Sequence, residues 1–436
     1  MVGLNSKADS RAEARFSGLR SWIAILLAGV VAGLAGAALT LLLHLIQHLA
    51  FGYTEFSFMV GVEQASSLRR VGALTVGGLV AGVGWWLQRR YARADISVPH
   101  ALDGQHEALP LRATILDGML QIFGVGVGAS LGREAAPRQV AAAFALKISR
   151  FFGLDEARQR RLLGCAAGAG LAAVYNVPLA GALFALELLL TSAKFVDVLA
   201  ALLCSGVATI MAWPFLSNRP SYAVTALHVG GAVVVWSFFA GPVAAVFATV
   251  CVRLMNRARS MEPTQWRVVV GVTAVFATVG IVAVSFPQLP GNGKGPAQLA
   301  FDNSGNLRLF LALLLLKPAL TALCLAGGAR GGMLTPSLAT GAVLGALLGQ
   351  PWNGFWPGSS MGAYAIVAAA ALLSVAVRAP LTAIVLAVEL THCTLLMLVP
   401  LCAAVGTARL AMTVLRRLRQ RLTAGAFGSD MDDMDT

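Results

Sequence analysis

This sequence has little charge. Of its 436 residues only 12% are charged, about half the share of an ordinary soluble domain, while 57% are hydrophobic and the mean hydropathy is +0.75. A chain so composed cannot cover itself with a water-compatible surface, which excludes a soluble globular fold and makes lipid its main solvent. Acids are scarcer than bases: 20 Asp and Glu stand against 33 Lys and Arg, a formal net charge of +13. In a soluble protein that excess would suggest nucleic acid. Here the bases sit in loops and near the termini. Arg11, Arg15 and Arg20 precede the first apolar run, Arg89, Arg90 and Arg93 follow the second, and Arg416, Arg417, Arg419 and Arg421 follow the last. They read as topology signals that place both termini in the cytoplasm, not as a nucleic-acid surface.

Other absences narrow the function further. The six cysteines, Cys165, Cys204, Cys251, Cys324, Cys393 and Cys402, stand singly in apolar segments, and the six histidines do not cluster. Neither a disulfide frame nor a metal site is indicated, and no cofactor is implied. HExxH is absent, and the GNGKG run at 291–295 lacks the spacing and the following Ser/Thr of a P-loop. An intramembrane enzyme is therefore a remote alternative with no nameable dyad. Long polar stretches are missing too: residues 92–105, 253–265 and 291–306 are of connection size, so nothing between the ends can form a soluble domain.

What is present is hydrophobic and interrupted. Apolar runs cover residues 22–46, 73–87, 198–215 and 268–286, some of them short of the roughly 20 residues that span a bilayer upright, which points to broken or tilted helices. Residues 1–21 and 416–436 read as polar cytoplasmic tails around a transmembrane unit at 22–415.

That unit echoes itself. PLAGALFALEL from Pro178 and PLTAIVLAVEL from Pro380 share Pro, Leu, Ala, Glu and Leu at the same offsets. Ahead of each lies a glycine-rich turn ending in proline, GASLGREAAP at 128–137 and GARGGMLTP at 328–336. Glycine and proline breaking apolar segments at matching places is the pattern of transporters built from two repeats, here roughly 22–215 and 223–415. Such breaks lie at membrane depth only where they line a cavity or are buried in protein.

The chemistry is accordingly sought in the turns. In GREAAP, Pro137 sits in the opening turn of a helix, where its missing N–H costs nothing, so the helix starts near Glu134. Free amides there, with the positive end of the helix dipole, make an anion site without a full positive charge. Gly132, Arg133, Glu134 and Ala135 frame it. Glu134 can place its own carboxylate where an anion would sit and release the site on protonation; it could equally pair with Arg133 or Arg138, or cap the helix. The second turn, with Met333, Leu334, Thr335 and Pro336, has the same logic, and the Thr335 hydroxyl either joins the site or satisfies a backbone carbonyl. Between 95 and 99, Ser97 offers a donor to an anion or caps the helix before Pro99. Glu187 and Glu389, inside apolar helices, must be paired or hydrated. Backbone amides are one partner; Lys317, Arg330 and Arg378 are others.

These motifs resemble the CLC family of chloride channels and proton/chloride antiporters, in its prokaryotic type without C-terminal regulatory domains. GREAAP is similar to the family's GREGP, GGMLTP to GGIFAP, and ISVP at 96–99 to a degraded GSGIP. AGAGLAAVYNVPLAG at 167–181 and VRAPLT at 377–382 match as well. The resemblance implies an all-α polytopic membrane protein of about eighteen short tilted helices in two inverted repeats. It also implies a homodimer in the inner membrane with one pathway per subunit, carrying chloride or another small anion, with protons in the antiporter members. Glu134 matches the gating glutamate, and the amides around it and at Met333 and Leu334 match the anion sites.

Three departures matter. The family's central serine falls on Ile96, leaving Ser97 one place out. The tyrosine that completes the central site from the last helix has no counterpart, since the final tyrosine is Tyr364. Leu188 occupies the place where antiporters carry an inner proton-accepting glutamate, so Glu187 is the nearest substitute relay. Fluoride/proton antiporters of this family also replace the central serine by an apolar residue, which makes fluoride the alternative substrate.

Overall fold

The computed structural model describes residues 3–54, 57–92, 97–105, 109–224 and 227–432, with side chains described between 18 and 417. Within these residues the chain is helical, in two successive sets. The first holds α1 (Gly3–Phe51), α2 (Phe58–Gln64), α3 (Ser67–Tyr91), α4 (Val98–Leu102), α5 (Leu111–Gly126), α6 (Ala135–Phe151), α7 (Glu156–Tyr175), α8 (Pro178–Phe184) and α9 (Phe195–Leu216). The second holds α10 (Gly231–Arg259), α11 (Arg267–Ser285), α12 (Lys294–Asp302), α13 (Leu307–Ala326), α14 (Leu334–Phe355), α15 (Met361–Ala376), α16 (Pro380–Thr391) and α17 (Leu398–Asp432). Seventeen α-helices thus stand where about eighteen were expected. Seven helical segments are long and apolar enough to cross a membrane, among them Gly18–Phe51, Gly231–Arg259 and Leu307–Ala326. The protein is an integral membrane protein.

The expected repeat is visible in contacts that exchange across a local two-fold. Gly132 and Gly332 form an isolated antiparallel bridge in which each amide donates to the other's carbonyl at 2.8 Å. Helices α3 and α11, in matching places of the two sets, approach closely through glycine: a Cβ on Gly78 would lie 2.8 Å from Phe276 Cβ, and one on Gly82 would lie 2.9 Å from Val269 Cα. Small residues let backbones pack where apolar burial cannot drive helices together, because the lipid is as apolar as leucine.

The two proline-started helices match residue by residue. Each is preceded by a non-glycine residue in the left-handed region, Asn176 at φ 58° and Arg378 at φ 59°, so the chain turns sharply before Pro178 and Pro380. The first copy carries an extra residue, taken up as the π-helical segment Ala185–Leu190 that continues α8. That segment holds Glu187.

Several boundaries differ from the sequence reading. α1 begins at Gly3 and α17 continues to Asp432, so helix occupies much of the stretches read as tails. Good helix formers such as Ala, Arg and Leu carry the pattern outward beyond the apolar core. Helix α10 likewise runs through Arg259, inside the polar stretch 253–265, and α12 lies within 291–306.

Candidate functional site

Two helix N-termini meet at the glycine bridge. Gly132 and Gly332 bring the starts of α6 and α14 together, with Glu134 as the N-cap of α6 and Met333 as the N-cap of α14. Pro137 and Pro336 lie in the respective first turns, as the sequence indicated. The bridge uses the Gly132 amide, so that group faces Gly332 and not the site.

Glu134 is fully buried, and its carboxylate reaches across to the other repeat. Oε1 accepts from the Leu334 amide at 2.7 Å. Oε2 accepts from the Thr335 hydroxyl at 2.9 Å and from the Tyr175 hydroxyl at 3.3 Å. The two hydroxyls are themselves 2.7 Å apart. The arginines do not hold the carboxylate: Arg138 Nε donates to the Glu134 backbone carbonyl at 3.0 Å, and Arg133 Nη2 donates to Val174 O at 3.1 Å. The acid therefore rests on an amide, two hydroxyls and the partial positive charge of a helix start. An anion would find the same partners. No Cβ fits beside it, because one built on Gly132 or Gly332 would fall on the carboxylate oxygens.

A cavity of about 610 Å³ leads to this cluster. It is bordered by the end of α1 with His44 and His48, by Lys294 at the start of α12, by Arg133, and at its floor by Tyr175, Leu334 and Thr335. The Arg133 guanidinium lies over the Tyr175 ring, 4.8 Å from its centroid, a cation–π contact that helps to fix the phenol. The hydroxyl pair of Tyr175 and Thr335 thus separates Glu134 from the cavity, and basic side chains line the way in.

Tyr175 was not singled out by the sequence reading. It is the last residue of α7, immediately before the left-handed Asn176, and that turn places its ring against the start of α14. Thr335, left open between two roles, turns its hydroxyl into the site.

The remaining candidates fall elsewhere. Ser97 is the N-cap of α4, its hydroxyl accepting from His100 N at 3.3 Å, and it is not among the hydrogen-bond partners of Glu134. Ile96 lies outside the described residues. Glu187 accepts from the amides of Leu381 and Thr382 at 3.2 and 2.9 Å and from the Thr382 hydroxyl at 2.8 Å. Glu389 accepts from the amides of Leu179 and Ala180 at 3.0 and 2.7 Å. Each glutamate thus closes the N-terminus of the other repeat's proline-started helix. Two of the basic residues named as partners bind other groups. Lys317, buried, donates to Leu289 O and Gly291 O at 2.9 and 2.7 Å, and Arg330 pairs with Asp117 at 3.3 Å.

The sequence model described as voltage gated chloride channel matches residues 71–413. The H(+)/Cl(-) exchange transporter ClcA of Salmonella arizonae is 29% identical over 407 residues, covering 88% of this chain and 83% of that protein. ClcA of Cronobacter sakazakii is 28% identical over 408 residues, covering 88% and 85%. Among solved structures, a slow cyanobacterial Cl−/H+ antiporter superposes with a TM-score of 0.78 at 20% identity, over 92% of this chain and 98% of that one. A CLC-type fluoride/proton antiporter superposes at 0.71 and 20% identity, over 89% and 94%. With paired helix starts, a buried glutamate between them and this match over most of its length, the chain belongs to the voltage-gated chloride channel (CLC) family of membrane transport proteins.

Proposed function

We propose that the protein exchanges chloride for protons across the cytoplasmic membrane, with Glu134 as both gate and proton carrier. The observation that carries this reading is the fully buried Glu134 carboxylate on the Leu334 amide. While ionised, it occupies the acceptor position at the start of α14. Once protonated, its hydroxyl oxygen no longer competes for that amide, the side chain leaves, and an anion takes over the same donors. Partial charges suit transport because they bind an anion without trapping it. Arg133 and Lys294 raise the local anion concentration in the cavity.

The face opposite the cavity is cytoplasmic in this reading. Helix α1 ends at the cavity, α3 runs back from it, and the ends of α3 and α10 carry Arg89, Arg90, Arg257 and Arg259, as the positive-inside bias requires. The functional unit is a homodimer with one pathway per subunit; exposed Leu179 and Leu381 on the starts of α8 and α16 supply part of an apolar contact face.

The test is a flux assay in proteoliposomes with chloride and pH electrodes read together. Chloride efflux driving proton movement in the opposite direction supports the exchange, and no anion flux at any pH overturns it. Fluoride is the second reading, because Ser97 is engaged as a helix cap and the site is completed by two hydroxyls. A fluoride electrode in the same assay, with flux well above that of chloride, would select it.

A further inference from the structure

Asp117 is a buried acid that the gate does not use. It is 1% exposed and lies on α5 toward the face opposite the cavity. The far end of α5 packs against α1 near its cavity end, where a Cβ on Gly126 would touch Ile46. The near end meets the close of α3, where Gln88 Nε2 donates to Ala113 O at 3.0 Å.

A hydrogen-bond chain joins Asp117 to both segments that build the gate. Gln121 Nε2 donates to Asp117 Oδ2 at 2.6 Å and to Gln139 Oε1 at 2.7 Å, and Gln139 stands on α6, whose first turn comes directly after Glu134. On the other side Arg330, close before Gly332, contacts Asp117 Oδ1 at 3.3 Å. Arg330 and Gln139 are both partly exposed, so the buried acid has neighbours in reach of water. Among the described residues Gln121 Oε1 is a buried acceptor without a partner. The contact from Gln121 N–H to Asp117 Oδ2 suits the ionised acid. A protonated Asp117 needs an acceptor, and a joint turn of the Gln121 and Gln139 amides supplies Gln121 Oε1 to the acid while Gln139 Nε2 takes over as donor to Gln121. The site can therefore satisfy both protonation states.

We propose that Asp117 is the inner proton-accepting group of this transporter, filling the role left open by leucine at position 188. The proposal rests on the proton/anion exchange reading given above. In the step, the O–H bond of the Glu134 carboxylic acid breaks and an O–H bond forms on an Asp117 carboxylate oxygen, each intervening water receiving one proton and passing one on. Glu134 becomes the anion and Asp117 the acid, and the total charge of the pair is unchanged. Neutral Asp117 then leaves Arg330 uncompensated beside the inner side of the gate, where it attracts the counter-moving anion. The other charged groups around Asp117 are few. Arg89 on α3 lies within electrostatic reach and is itself paired with Glu262. Arg138 on α6 is turned to Glu134 O and to the Phe184 ring. The stretch of α1 between Arg20 and His44 has no charged residue.

The test measures proton and chloride flux together for the unmodified protein, Asp117→Asn and Asp117→Glu. The proton-to-anion ratio of Asp117→Asn falls by about tenfold or more while anion efflux persists, and Asp117→Glu regains coupling. A merely structural partner of Arg330 would alter stability but not that ratio. If Asp117→Asn is poorly folded by size exclusion, the double variant Asp117→Asn/Arg330→Gln, which removes both charges, is read in the same way. A parental ratio in well-folded Asp117→Asn or in the double variant overturns the proposal, as does an unmodified protein that passes anions without moving protons. An unmodified protein that passes no anion overturns the transport reading itself.

Discussion

The hydroxyls of Tyr175 and Thr335 lie 2.7 Å apart, one at the end of α7 and the other in the first turn of α14, and both face the carboxylate of Glu134. With one proton each, they can serve the carboxylate or, after it leaves, the anion that replaces it. Tyr175→Phe removes one donor while keeping the ring under Arg133. A lost hydrogen bond to the charged carboxylate, about 1.5–3 kcal/mol at most, weakens the closed gate, so anion flux should extend to higher pH and anion affinity should drop severalfold. Thr335→Val should act in the same direction. Because the two hydroxyls share one network, the double variant should cost less than the sum of the singles. Flux against pH and calorimetric chloride titration check this; additive effects would show that the hydroxyls act separately.

Glu187 and Glu389 are reciprocal caps, each receiving two backbone amides from the start of the other repeat's helix. Hydrogen bonds to a charged group contribute about 1.5–3 kcal/mol each at most, and the groups are partly buried. Glu187→Gln and Glu389→Gln should therefore lower the melting temperature in detergent, and the Glu187 variant should lose more because Thr382 adds a hydroxyl donor. The proton-to-anion ratio should not change. A Glu187→Gln protein of normal stability that no longer moves protons would instead make Glu187 the relay.

The starts of α6 and α14 were legible in the sequence because their cause is local. Glycine frees the turn, proline in the first helical turn favours a helix from that point on, and the two copies support each other. Glu187 and Glu389 were legible as a matched buried pair held by backbone amides, but which amides was not. Nothing near either residue says that the acceptor will meet Leu381 or Leu179 in particular, and of the basic residues that looked available Lys317 is engaged by carbonyls and Arg330 by Asp117. Tyr175 escaped notice for a related reason. Its role depends on the left-handed turn at Asn176 and on Thr335 far along the chain, whereas the sequence offered only a missing tyrosine in the last helix. Asp117 had no motif around it, and its place beside Arg330 and Gln121 appears only in the fold.

Gly332 tests how tightly the gate is fitted. A methyl group at this position would overlap the Glu134 carboxylate, while the backbone lies outside the left-handed region that only glycine tolerates. Gly332→Ala should thus fold and displace the acid from the Leu334 amide, giving anion flux that is higher at neutral pH and less steeply dependent on it. The Gly132–Gly332 bridge can still form, since it uses only backbone atoms. Unchanged pH dependence in a folded Gly332→Ala protein would mean that the closed position of Glu134 is looser than its contacts indicate.

Glu134 itself gives the most direct prediction. Substitution by Gln leaves a permanent analogue of the protonated acid, and Ala removes the obstruction. With the carboxylate as gate, both variants should pass anions at neutral pH, lose most of the acid activation of that flux, and move no protons against the anion. In the unmodified protein flux should rise as pH falls, because protonation is what releases the Leu334 amide. A purely structural Glu134 would behave otherwise. Removing one member of a buried charged cluster costs about 3–5 kcal/mol, which would appear as aggregation or a large loss of thermal stability in both variants. The contacts argue against that outcome, since neither Arg133 nor Arg138 uses the Glu134 side chain as its hydrogen-bond acceptor and the amide left behind can be satisfied by chloride or water. Size exclusion, melting temperature and flux between acid and neutral pH, taken on the same preparations, separate the two cases. Folded variants that keep the parental pH dependence would remove Glu134 from the gate.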